Sequence, residues 1–225
     1  MSTVVMDATK CRFLPSLGVI ALLLTGCGVL TPQSDRTQFY VLRPLSAPAA
    51  AEGSAPPRGL TVGLGPIDLA AYLDRPELVR RLGPNRVEIM DADRWASPLR
   101  LTLPSVLGTD LSNLLGPQAV TAFPWSETAV LDYEVQVDVQ RFEPESDGTG
   151  TLVARWTVKD GKSKRVLLVR DSDIRKPAAA ATTDAAVAAL NDAINELSRD
   201  IAGGLQELRP RRASEGGKSA VRRGK

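Results

Sequence analysis

Residues 131–139 carry the strictest pattern in the chain. Leu131, Tyr133, Val135, Val137 and Val139 alternate with Asp132, Glu134, Gln136 and Asp138, the period of two of a strand with one buried and one wet face. Asp147-Gly148 then marks a turn into 151–159, where Leu152, Ala154, Trp156 and Val158 continue the buried face. Asp160-Gly161 marks a second turn into 165–171. These three strands predict an antiparallel meander. Upstream, 38–42 and 60–64 read as strands, the second closed by Gly65-Pro66. Segments 78–82 and 86–90 flank Gly83-Pro84-Asn85 and read as a hairpin. The alternative there is a helix begun by Pro76 after Asp74.

Two stretches follow the helical period. Leu99, Leu103, Val106, Leu107, Leu111, Leu114 and Leu115 run from Ser97-Pro98 to Gly116-Pro117. Ser97 is the expected N-cap and Pro98 the first helical residue. Pro104 lies inside this run and is expected to kink it. Val187, Leu190, Ile194, Leu197, Ile201 and Leu205 form one apolar stripe, capped by Thr182 or Thr183. Together the elements predict an α+β fold: a mostly antiparallel sheet of six or seven strands with two amphipathic helices packed on one face.

The N-terminus follows neither period. Lys10 and Arg12 precede an apolar run over 13–24, which ends at Leu24-Thr25-Gly26-Cys27. Twelve helical residues reach about 18 Å, short of a hydrocarbon core of about 30 Å. The layout is that of a secretory signal peptide, and its ending resembles the bacterial lipobox, in which the thiol is acylated and the peptide is cut just before it. Cys27 is therefore the expected lipidation site and first mature residue. Gly28 stands where an Asp would favour inner-membrane retention, so the expected location is the periplasmic face of the outer membrane. The expected organisation is a signal peptide over 1–26, a lipidated tether over 27–36, one domain over 37–208 and a disordered basic tail over 209–225. Residues 44–59, rich in Ala, Pro, Ser and Gly, read as a surface loop with little to bury.

Composition narrows the chemistry. The 225 residues include no histidine and two cysteines, Cys11 and Cys27. Losing the first with the signal and acylating the second leaves no free thiol, which argues against a metal or haem site. No cofactor is expected. The net charge of +2 conceals an asymmetry. The last 17 residues hold seven cations against Glu215, a net +6, leaving the body near −5. A nucleic-acid-binding domain would carry its positive charge on a folded face. The sequence holds no G-x-S-x-G elbow and no G-x-x-x-x-G-K-[ST] loop, so an enzyme is not expected.

Four places resemble the ABC-type transport auxiliary lipoproteins, the PqiC-like family. They are the lipobox followed by Phe39-Tyr40-Val41-Leu42; Val62-Gly63-Leu64-Gly65-Pro66 leading to Ala71-Tyr72-Leu73-Asp74-Arg75-Pro76; Asn85-Arg86-Val87 followed by Asp93-Arg94-Trp95-Ala96-Ser97-Pro98-Leu99; and the closing amphipathic helix. The resemblance covers nearly all of the mature chain to about 208. It implies an outer-membrane lipoprotein that docks to an MCE-type periplasmic protein, and through it to an ABC permease and ATPase, for lipid transport between the membranes. It also implies a possible homo-oligomeric ring. Tyr72, Leu73, Asp74, Arg75, Arg94 and Trp95 are the candidate partner or subunit contacts. Asp74 and Pro76 shaping a turn, with Trp95 packed under the first helix, is the structural alternative for them. A free-standing envelope lipoprotein that scaffolds or binds peptidoglycan is the alternative function.

Overall fold

The computed structural model describes residues 36–46, 60–116, 119–126 and 128–222, with side chains as far as Arg209. Cys27 lies outside the described residues, as do 47–59. The chain from Thr37 onward forms one unit. In order it contains β1 (Gln38–Tyr40), β2 (Val62–Leu69), a short 3-10 turn (Ala71–Leu73), β3 (Glu77–Gly83), β4 (Arg86–Trp95), α1 (Leu99–Leu115), β5 (Val120–Ala122), β6 (Tyr133–Pro144), β7 (Gly150–Asp160), β8 (Val166–Lys176) and α2 (Thr183–Arg222).

The strands form two mixed sheets, not one antiparallel sheet. One has the order β1-β4-β3 and the other β5-β2-β6-β7-β8. The β3–β4 hairpin and the β6–β7–β8 meander are antiparallel, as their turns predict. The parallel pairs are β1 with β4, and β2 with both β5 and β6. These join segments distant in sequence, and no turn residue announces them. The sheets meet where Arg81 of β3 bridges Glu145, just beyond β6.

β2 does not stop at Gly65-Pro66. It continues to Leu69, and the register with β6 shifts between Leu64 and Ile67, so the residue without an N–H falls at the irregularity rather than on the regular ladder. Gly65 adopts φ +126°, and a Cβ there would lie 2.6 Å from Phe123. β5 was not legible, because three residues show no period.

Both helices pack on the larger sheet and on each other: α1 against β2 and β5, α2 against β6, β7 and β8. The register sets Val135 beside Val158, Val137 beside Trp156 and Val139 beside Ala154, and all six are buried. The α2 stripe is buried along its whole length, with Leu190, Ile194, Leu197, Ile201 and Leu205 at 0% exposure. Each such side chain contributes about 1.5–3 kcal/mol. Thr182 caps α2, its Oγ1 accepting the Ala185 N–H at 3.3 Å.

α1 departs from expectation at its start: Pro98 is its N-cap rather than its first helical residue, with no side-chain cap bond from Ser97. Pro104 lies inside the helix, as expected. The backbone of α2 continues to Arg222, past the position where the sequence reading ends the domain, although its last described buried residue is Leu208.

The start of the 44–59 segment is not a free loop. The Leu45 N–H donates to Asp110 Oδ1 at 2.7 Å, and Asn113 Nδ2 donates to the Leu45 carbonyl at 2.9 Å. Asp110 is fully buried in α1, and its other oxygen accepts the Ser198 hydroxyl of α2 at 2.8 Å. One carboxylate thus ties both helices to the chain leaving β1.

Candidate functional site

The segment between β2 and β3 distributes its side chains by their backbone positions. The Ala70 N–H donates to the Val139 carbonyl at 2.9 Å, and a tight turn follows as the Leu73 N–H returns to the Ala70 carbonyl. Within that turn Leu73 enters the core at 2% exposure. Tyr72 faces the opposite way, toward the junction of the sheets. Asp74 is left exposed and Arg75 half-exposed. Extended chain resumes at Pro76, whose carbonyl accepts the Trp95 N–H at 2.7 Å.

That bond brings the end of β4 against the turn. Trp95 is buried and stacks on Phe142 at 6.2 Å between centroids. Asp74, Arg75, Pro76, Trp95, Ala96, Ser97, Pro98 and Arg100 line a cleft of about 450 Å³. Glu77 sits between two guanidinium groups, Arg75 Nε at 3.2 Å and Arg94 at 3.7 Å. Of the six sequence candidates, Asp74, Arg75 and Trp95 therefore share the cleft, and Arg94 reaches Arg75 through Glu77. Leu73 is core. Pro76, Ala96, Ser97, Pro98 and Arg100 were not among the candidates. The first four read as turn or helix-start residues, and Arg100 as an ordinary exposed helix residue.

Tyr72 belongs to a second cluster that the sequence reading missed. Its hydroxyl donates to Glu143 Oε2 at 2.8 Å. Glu143 is fully buried. It also accepts from Arg81 Nε at 2.7 Å, from Arg141 Nε at 2.8 Å and from the Phe142 N–H at 3.0 Å. Burial alone would raise the Glu143 pKa, but the bonds from Arg141, Arg81 and Tyr72 outweigh it and hold the carboxyl below its ordinary value. Burial, with the Glu143 bond next, pushes the Tyr72 hydroxyl up to about 12. Arg141 also reaches Glu145 at 3.0 Å. These contacts fasten β3 to β6 and so fix the smaller sheet, with its cleft, on the larger one. The available signal was the end of the 131–139 alternation. The register shifts between Val139 and Arg141, and Phe142, Glu143 and Pro144 are then buried in succession.

Chemically the cleft offers one exposed carboxylate, two guanidinium groups and apolar walls from Pro76, Trp95, Ala96 and Pro98. Such a lining suits contact with another surface: charges for register and apolar walls for burial. Among the described residues no three His, Cys, Asp or Glu side chains gather as a metal site. None of the described helices is long and apolar enough to cross a membrane.

The family model described as ABC-type transport auxiliary lipoprotein component matches residues 40–202. Among solved structures, the chain is similar to a crystal structure of a Xanthomonas campestris protein of the DUF330 family. The identity is 18% and the TM-score 0.64, over 79% of this chain and 99% of that one. It is also similar to a crystal structure of an uncharacterized protein at 19% identity and TM-score 0.62, over 75% of this chain and 98% of that one. At these identities the likeness is one of fold. Comparison with curated proteins gave no match.

Proposed function

The chain belongs to the ABC-type transport auxiliary lipoprotein family, and from that premise we propose that it is the outer-membrane-anchored periplasmic subunit of an MCE-type lipid transport system, held by acylated Cys27 and docked to the MCE protein. The observation that carries this reading is the family match over 40–202 downstream of Leu24-Thr25-Gly26-Cys27. A lipobox cysteine bears two or three acyl chains, and two such signals suffice for stable anchoring. The permease, the ATPase and the tunnel across the periplasm are other chains, and the work of this one is docking rather than catalysis.

The docking surface includes the cleft at the end of β4. Asp74, Arg75 and Arg100 present charge of both signs around the apolar floor, and Arg94 with Glu77 holds Arg75 in place. Tyr72 and Leu73 serve this surface indirectly, by fixing the turn that carries Asp74 and Arg75. A photo-crosslinking residue in place of Arg100 tests the assignment in living cells. Cross-linking to the MCE protein is expected from position 100. No cross-link from position 100, or a yield no higher than from Val169 on the exposed edge of β8, would contradict it.

A further inference from the structure

The outer edge of β4 is mostly vacant among the described residues. β3 pairs with one side of β4 from Arg86 to Met90 and again at Arg94, whereas β1 occupies the other side only at Asp93, Arg94 and Trp95. No other described strand runs along that side over 86–92. Residues 86–89 are exposed on both faces of the strand, including Val87 at 39% and Ile89 at 40%. A row of backbone N–H and C=O groups therefore faces outward beside a small apolar patch, the arrangement onto which an extended peptide adds as a further strand. β1 shows that this edge accepts a parallel strand, since it already does so over its last three positions.

β8, the other long edge, is built differently. It also carries exposed Val166 and Val169, but Arg170, Asp171, Asp173 and Arg175 crowd its length, and Arg155–Asp171 and Arg170–Glu207 ion pairs fold charge across it. Charged edges of this kind resist strand addition. Over 86–92 the apolar Val87, Ile89, Met90 and Ala92 alternate with or adjoin Arg86, Glu88 and Asp91, and Arg80 neutralises Glu88 at 3.7 Å. Exposed Asp91 is left as the negative charge next to this patch, where the pairing with β3 breaks after Met90.

We propose that the 86–92 edge of β4 receives an extended segment of the transport partner as an added strand, with β-branched or aromatic side chains over Val87 and Ile89 and a lysine or arginine beside Asp91. This inference rests on the docking reading above. The backbone supplies most of the recognition, and the alternate side chains and the basic residue set the register.

The test uses the full-length lipoprotein purified in detergent with the MCE protein. Amide hydrogen exchange over 86–92 is expected to slow in the complex relative to the free lipoprotein. The double variant Val87→Lys/Ile89→Lys is expected to bind at least about tenfold more weakly with an unchanged thermal midpoint, because both positions are exposed and lysine blocks edge pairing. Asp91→Lys, a single exposed change, is expected to weaken binding without touching the apolar pair. Val169→Lys on β8 is expected to bind as the parent does. A complex that forms with unprotected 86–92 amides, and that tolerates the lysine variants, would overturn the strand-addition site while leaving the docking reading intact. Failure of the parent protein to form any complex would overturn the docking reading, and the inference with it.

Discussion

At the scale of single residues, two buried carboxylates do opposite things. Glu143 is held ionised by Arg81, Arg141 and Tyr72. Its folded pKa is lowered, so its stabilising contribution is present above the unfolded value of about 4.3 and is lost as pH falls below that value through the folded one. Glu143→Ala strands two partly buried guanidinium groups, and urea denaturation at pH 7 is expected to show a loss of about 3–5 kcal/mol. Asp110 is raised, because burial outweighs the bonds from Leu45 and Ser198 and the charge of Arg199. Its effect has the reverse sign: stability falls as pH rises from about 3.9 through the raised folded pKa. Asn at 110 can still accept from Leu45, and its amide can donate to Ser198 while that hydroxyl bonds the Ile194 carbonyl. Asp110→Asn is therefore expected to be more stable relative to the parent at pH 7 than at pH 4. A difference between the proteins that does not change with pH would contradict this account of Asp110. Neither carboxylate was legible in the sequence, since both pair with residues far along the chain. Cys27 is the opposite case, its expected lipidation resting on local context alone. Cys27→Ser is expected to abolish palmitate labelling and leave the precursor uncut, and continued labelling would remove the lipidation assignment.

At the scale of elements, what the sequence announced was what is local. The alternation over 131–139 and the turns at Asp147-Gly148 and Asp160-Gly161 yielded the meander. The 3-4 spacing from Val187 to Leu205 yielded α2 with its buried stripe. The parallel neighbours of β2 and β4 escaped, because pairing between distant segments leaves no mark in either segment. So did the fine fit of α2 on β7. Gly204 lies against Trp156, and a Cβ there would come within 2.7 Å of the indole, whereas Gly203 has nothing within 4 Å. The two neighbouring glycines thus make an internal control. Gly203→Ala is expected to raise stability by about 0.5–1 kcal/mol through helix propensity and reduced freedom in the unfolded chain. Gly204→Ala gains the same propensity but forces helix or indole to move, and the net change is expected to be a loss of about 1–3 kcal/mol. Thermal denaturation of both variants measures the contrast, and equal effects would mean that α2 is not seated on Trp156 as described.

At the scale of the whole molecule, the smaller sheet matters most. The larger sheet and both helices share one core with Leu78, Val79 and Trp95 of the β3–β4 hairpin, while residues 86–89 of that hairpin are exposed and its Trp95 end carries the cleft. The Glu143 cluster clamps that hairpin to β6, so the presented surface is positioned by a buried polar network rather than by a loop. The sequence reading named three of the eight residues of the cleft, because Asp74, Arg75 and Trp95 fall in distinctive short motifs. It did not locate Arg100 or the open edge of β4, since an empty strand edge is visible only when the neighbouring strands have been placed. Membership in a family of transport auxiliary lipoproteins supports the central proposal, that this presented surface docks to a periplasmic transport protein. The most direct measurement is purification of the full-length, acylated lipoprotein from detergent-solubilised envelopes, with the bound proteins identified by mass spectrometry. The expected result is stoichiometric recovery of an MCE protein, lost when Arg75 and Arg100 are both changed to Glu and retained in the Val169→Lys variant. Recovery of the lipoprotein without any transport component, or with peptidoglycan alone, would contradict the account.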